Sequence, residues 1–299
     1  MADWQGWTPS SGLDEQVFEG ASTGSPSAVQ EWVKPRGAVA VCFWVLGSGG
    51  GGGLGFGAAA GTDRCGGGGG GGSALTVVTF AAADLPGVLY VRVPPWTAGS
   101  ADGALSLVLT YITGGAGATA DTLIQSGNVA PTAGAAGSAS AGGFNGTAGS
   151  VFFESNAPGV SPGIWVATAG ATGSQGGAIG AVGQSQTLFA VAIPVTGGAG
   201  GGSTAILNTT FAGGDQIGVG PIPTIPGGAA AGGAGRLGMV TPGPWCSQGG
   251  TGGGSVGASG TGGSGGNGSY GAGGGGGGAG VTGGAGGRGG SGLVRVVSW

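Results

Sequence analysis

Glycine restricts this chain more than any other residue: 85 of its 299 residues are Gly, and another 15 are Pro. In a helix a Gly costs about 1 kcal/mol per position and a Pro about 3, so long helices are excluded and short strands with turns remain. The spacing says more than the amount. From residue 262 to residue 292 a Gly stands at every third position, eleven in succession, and 27 of the 44 residues from 249 to 292 are Gly. A polyproline II helix has three residues per turn. The spacing therefore gives such a helix one edge without side chains, along which a second backbone can approach. Collagen uses that edge among three chains, but it needs Pro in the other positions, and residues 249–292 contain none. A free linker would not close on Leu293-Val294-Arg295-Val296-Val297-Ser298-Trp299, which reads as a strand docking into a sheet. The spacing predicts a bundle of polyproline II helices over residues 249–292, with backbone N–H and C=O groups bonded between neighbours.

Charge is scarce: seven Lys and Arg, eleven Asp and Glu, and no His. An ordinary domain is about a quarter charged, and disorder needs low hydrophobicity with high net charge, whereas 39% of this chain is apolar. Something compact is built with little side chain. Asp3, Asp14, Glu15, Glu19 and Glu31 put five acids and no base into the first 31 residues. From residue 236 onward the only charges are Arg236, Arg288 and Arg295, too thin a basic face for nucleic acid. The longest apolar run, residues 38–46, has nine residues, against about 20 for a membrane helix, so no membrane insertion is expected. Met1 is followed by Ala-Asp-Trp, without a basic start or apolar core, which predicts a cytoplasmic product.

The layout follows. Residues 1–29 read as an acidic arm with two aromatic hooks, Trp4 and Trp7, and no strand. Residues 30–248 form a β-rich domain with Gly-rich loops, less well defined in its middle, 114–245. Residues 249–292 are the glycine bundle, and 293–299 a strand returning to the sheet. Strand character is strongest at 38–46, 74–80, 88–93 and 105–111, and weaker at 151–153, 164–166, 188–195 and 205–211.

Several of these features belong together. They are Trp32-Val33-Lys34-Pro35, the run 39–46, the Gly blocks 49–53 and 66–72, Leu85-Pro86 with 88–93, and the closing 289–299. As a set they resemble the glycine-rich domain of bacteriophage tail-fibre and other virion proteins, over the first third of the chain and its tail. The resemblance implies an all-β fold, a jelly-roll-like β-sandwich whose glycine-rich excursions pack as polyproline II helices. It further implies a virion structural protein, a tail-fibre or adhesin-type subunit mediating contact with the host cell surface. The alternative is a capsid decoration or head-fibre protein without receptor binding. Expected partners are other virion proteins and a host surface glycan or protein, with the chain itself a homotrimer. The expected location is the virion, assembled in the host cytoplasm.

The residues offer little for catalysis. Without His the usual Ser–His and Cys–His pairs cannot be built, and the single Lys34, followed by Pro35, fits no phosphate-binding loop. Cys42, Cys65 and Cys246 have no metal-site spacing, and acids do not cluster outside the arm, so neither a metal nor another cofactor is expected. Cys42 lies in an apolar strand, while Cys65 and Cys246 lie near Gly tracts and could meet. Asp121, Glu154 and Asp215 are the carboxylates a glycan hydrolase would need. They stand tens of residues apart, as turn or surface residues do, and no enzyme is predicted. Recognition is assigned instead to aromatics expected in loops, Trp96, Phe144, Trp245 and Tyr270. Docking to the particle is assigned to Trp4, Trp7, Asp14 and Glu15.

Overall fold

Short runs of β-branched and aromatic residues become strands here, as their fit to a pleated, half-buried surface requires. The computed structural model describes residues 13–20, 29–110, 122–151, 164–187, 195–242 and 245–299. In chain order the strands are β1 (Asp14–Glu19), β2 (Val29–Val33), β3 (Ala40–Leu46), β4 (Leu75–Ala81), β5 (Val88–Arg92), β6 (Leu107–Leu109) and β7 (Thr122–Gln125). They continue with β8 (Trp165–Thr168), β9 (Gln186–Thr187), β10 (Gln216–Ile217), β11 (Val240–Pro242), β12 (Trp245–Ser247) and β13 (Leu293–Ser298). A 3-10 turn, Ala82–Asp84, is the only helical element among the described residues, so the fold is all-β. No helix among them is long and apolar enough to cross a membrane.

Two antiparallel sheets carry the apolar core. The larger has the order β1-β13-β3-β4-β8 and the smaller β2-β5-β6-β7. Alternation fills the space between them. Phe43 and Val45 of β3, Val78 and Phe80 of β4, and Val294 and Val296 of β13 face Trp32, Leu89, Val91, Val108 and Ile124 of the smaller sheet in one buried cluster. Trp32 meets Phe43 edge to face, with ring centroids 5.7 Å apart at 69°. The Lys34 two residues on donates from Nζ to the carbonyls of Ala82 (2.9 Å) and Leu85 (2.7 Å). The Trp-Val-Lys-Pro entry thus places a core ring and then ties down the 3-10 turn.

β13 sits inside the larger sheet between β1 and β3, as its apolar character on both faces predicts. Residues 1–29 are not a strandless arm, however. Asp14–Glu19 pair with β13 along their whole length, because Phe18 supplies a side chain to the core and Glu15 a partner to Arg295. Trp4 and Trp7 lie outside the described residues.

The glycine-rich segments form a layer beyond one end of the sheets, without helix or strand over most of their length. Residues 47–74, which join β3 to β4, run out from the sheet and back. On the outgoing limb Gly49, Gly52 and Gly55 donate to the carbonyls of Gly290, Gly287 and Gly284, each at 2.9 Å. On the return limb Gly67, Gly70 and Ser73 donate to Gly277, Gly274 and Gly271 at 2.9, 2.9 and 2.7 Å. Partners step by three residues in both segments, in opposite directions. Residues 66–73 donate to segments 271–277, 132–135 and 171–177, and accept from 50–53, 143–149 and 198–201. Six neighbours therefore satisfy one buried segment that has almost no side chains.

The expectation of one bare edge is too narrow. A Cβ on Gly275 would overlap the carbonyl of Thr251, one on Gly276 that of Gly67, and one on Gly277 that of Gly284. Three successive residues meet three different neighbours, so the centre of the layer needs Gly on every edge. Nor is the run from 262 to 292 one helix. The chain reverses at Gly271, which has a φ of +66°, a conformation that favours Gly, and again at residues 281–282. The layer is also not confined to residues 249–292, because the partners of 271–280 include 50–53, 67–70 and 196–202.

Candidate functional site

Every excursion of the glycine layer that leaves the sheets must turn, and the turns gather at the end away from the sheets. Among the described residues they are 57–64, 138–141, 178–181, 205–208, 229–232, 257–261 and 281–282. Arg64 fastens several together. Its side chain is fully buried, and Nε donates to Thr204 Oγ1 (3.0 Å) while Nη1 donates to the Ala58 carbonyl (3.2 Å). Its Nη2 donates to Asn208 Oδ1 (3.2 Å) and to the Gly257 carbonyl (2.7 Å). All of these acceptors are uncharged, and burial lowers the Arg64 pKa from its ordinary value. The arrangement is that of a clamp. A further tie runs from the Cys65 N–H to the Ser138 carbonyl (3.0 Å), and another from the Ala58 N–H to the Gly280 carbonyl (3.3 Å).

The outer surface of this end sets a few exposed aliphatic side chains among Ala, Gly, Ser and Thr. Ala205–Asn208 form a turn closed by the Asn208 N–H on the Ala205 carbonyl (2.8 Å), and Asn208 has a φ of 58°. The two central residues, Ile206 and Leu207, are 62% and 84% exposed. Ile179 and Val281, on adjoining turns, are exposed too. The ionisable side chains in these turns and the residue that follows the first are Asp63, Arg64 and Cys65, so the surface carries almost no charge.

The aromatic residues assigned to recognition do not come together there. Trp96 is half-buried on the flank, with the Arg288 guanidinium 3.9 Å from its ring centroid. Tyr270 lies at the opposite end, packed against the buried cluster of Leu46, Leu75, Val195 and Ala272 where the sheet meets the glycine layer. Its hydroxyl donates to Glu19 Oε1 at 2.6 Å, and burial together with that carboxylate pushes its pKa up. Tyr270 is thus a structural tie to β1. The backbone of Trp245 is in β12, and its side chain lies outside the described residues. Phe144 alone is strongly exposed, at 67%.

Of the residues assigned to docking, Asp14 and Glu15 belong to β1, and Glu15 Oε1 accepts from Arg295 Nε at 2.6 Å. Asp121 and Glu154 lie outside the described residues, while Asp215 accepts from the Gly227 N–H (2.7 Å), a turn contact. The three Cys are unpaired. Among the described residues no three His, Cys, Asp or Glu are placed to hold a metal ion.

Sequence reasoning missed Arg64, Ile206 and Leu207, having read 205–211 as a strand. The available signal was Asn208, since Asn is among the few residues that accept a left-handed turn. No family model and no curated protein sequence matches the chain.

Proposed function

We propose that this chain is a bacteriophage virion structural protein, a tail-fibre or adhesin-type subunit that contacts the host cell surface with its distal turns and acts without catalysis. One observation carries the reading: turns with little charge and exposed aliphatic side chains are held at the end of a layer whose central segments are almost entirely glycine backbone. Such turns can vary in sequence at little cost to what supports them, as a recognition surface requires. Exposed apolar residues concentrated at one place favour contact with a partner.

The finer architecture belongs to the same reading. The two sheets form a jelly-roll-like sandwich, and the glycine segments are polyproline II helices. Their support is the three-residue step of the backbone hydrogen bonds, the six-neighbour surroundings and the lack of strand pairing between them. Copies associate, as a homotrimer, through the outer face of the larger sheet, where Val17, Arg295, Trp44, Val77 and Val166 line up across five strands. Val17 and Val166 are exposed there. The first residues, with Trp4 and Trp7, dock the subunit to the particle.

The test places Ile206→Ser with Leu207→Ser in particles that carry the chain. Adsorption to host cells should fall at least about tenfold, the effect of losing about 1.4 kcal/mol of contact, while incorporation and melting temperature stay unchanged. Negative-stain microscopy of labelled particles should place the chain at the tail tip. Label over the head, with adsorption intact, would replace this reading with a capsid decoration or head fibre.

A further inference from the structure

On one shoulder of the distal end, two glycine segments joined by the Gly176 N–H on the Gly143 carbonyl (3.0 Å) leave an open groove of about 310 Å3 above them. Its walls are residues 140–144 on one side and 175–184 on the other. We propose that this groove binds a neutral saccharide. The inference rests on the reading of the chain as a host-contact protein, and it names the ligand class of that end.

Four features of the groove carry it. The Phe144 ring is 67% exposed and stands on the wall of the groove, which offers the C–H face of a pyranose an apolar platform. The carboxamides of Gln175 and Gln184 line the groove as well, with Gln184 Nε2 donating to Gln175 Oε1 at 3.5 Å. That bond uses one N–H of Gln184 and one lone pair of Gln175, which leaves the other Gln184 N–H, the Gln175 NH2 and lone pairs on both oxygens, the match for sugar hydroxyls that both give and take hydrogen bonds. The Ser140 hydroxyl adds a third polar group of the same double character. No lining residue is ionisable, so an anionic sugar or a phosphate finds no opposite charge.

Preorganisation supports the same conclusion. The floor is backbone: a Cβ on Gly142 would overlap the Gly176 carbonyl, and one on Gly177 would come within 2.5 Å of the Ala181 carbonyl. Little rotamer entropy is lost when a ligand settles against such a wall. The volume lies at the lower end of the roughly 300–1,000 Å3 typical of small-molecule sites, room for one or two sugar rings.

The experiment uses the full chain and a panel of neutral hexose and N-acetylhexosamine oligosaccharides with their sialylated and sulfated counterparts. Hits are followed by saturation-transfer NMR and titration. Neutral members should bind in preference to the charged ones. Phe144→Ala should weaken binding about tenfold, the scale of one lost aromatic contact. Gln184→Ala should weaken it several-fold, and Leu207→Ser should leave it unchanged. Absence of binding across the panel, preference for charged sugars, or binding indifferent to Phe144→Ala would each overturn the proposal. The two readings separate cleanly. Lost adsorption in the Ile206 and Leu207 variants without any sugar binding keeps host contact and removes this site. Sugar binding in a chain whose particles adsorb normally with those turns altered keeps the site and removes host contact through them.

Discussion

At the scale of the residue, the number of glycines in each turn of three reports how many neighbours that turn must admit. Residues 66–72 and 273–278 are unbroken Gly and are wholly buried. In 262–266 a pair of buried Gly stands on each side of the exposed Ser264, and in 143–149 the buried positions are Gly143, Gly146 and Gly149 alone. Where Gly is unbroken, a Cβ would meet backbone on every side, whereas residues with a Cβ stand where a face meets solvent or, as at Ala199, Ala272, Ala279 and Thr251, where the neighbours leave room for it. Gly277→Ala should destabilise the protein by more than about 3 kcal/mol, since the methyl meets a backbone carbonyl that cannot rotate away. Ser264→Val and Thr282→Val, both on exposed positions, should stay within about 0.5 kcal/mol. Thermal melts of the three variants check this, and equal melting temperatures would contradict the packing. Cys246 gives a pH signature. Burial pushes its thiol up to about 11, whereas an unfolded thiol ionises near about 8.5. Below that value the contribution is fully present. Between it and about 11 the unfolded chain releases the proton first, so stability falls as pH rises. Cys246→Ala should make the fall in melting temperature over that window shallower, and the rest of the fall belongs to Cys65 and Tyr270, which are also pushed up.

At the scale of the element, strands were legible where the pattern was strong. The runs at 38–46, 74–80, 88–93 and 293–299 all became strands, because each has apolar residues alternating into one core. β1 was not legible. Asp14-Glu15-Gln16-Val17-Phe18-Glu19 looks like a solvated segment, and only its partner strand gives Glu15 and Phe18 a purpose. The run at 205–211 failed for the converse reason: apolar residues at an exposed turn carry the composition of a strand without its burial. These pairings set the outcome of two truncations. Removing residues 1–20 deletes an edge strand, strips Arg295 of Glu15 and takes Phe18 out of the core. It should cost about 2–4 kcal/mol, mostly through the lost apolar burial, and leave a folded chain of lower melting temperature. Ending the chain at Ser291 instead removes β13 from between β1 and β3 and opens the sheet in its middle. That protein should be insoluble or melt without cooperativity. A soluble, normally melting product would show that β13 is dispensable to the sheet.

At the scale of the whole molecule, the sheets and the glycine layer are one object. The layer draws its segments from residue 47 to residue 292, and the six neighbours of segment 66–73 are brought from places as far apart in sequence as 50 and 277. The sequence could announce that glycine backbones pack, since their period of three is visible in 262–292. It could not announce which segments meet, because glycine edges are all alike and carry no side-chain code for a partner. That information lies in the sheets. β3, β4, β6, β7, β8 and β13 deliver the segments to the layer in a fixed order, and the cluster of Leu46, Leu75, Val195 and Ala272 seals the joint. Cooperativity follows. No segment of the layer can lose its partners singly without stranding buried N–H and C=O groups, each costing about 1–3 kcal/mol, and none can reach them unless the sheets hold the register. Calorimetry of the full chain should therefore show one transition. Native-state hydrogen exchange should give the amides of residues 66–72 and 273–278 protection equal to that of β3, although they belong to no strand. A synthetic peptide of residues 249–292 should show no protected amides at all, because three of the six neighbours of 271–280 lie outside it. Protection in that peptide, or a separate early transition of the layer in the full chain, would mean that the glycine segments choose their partners without the sheets.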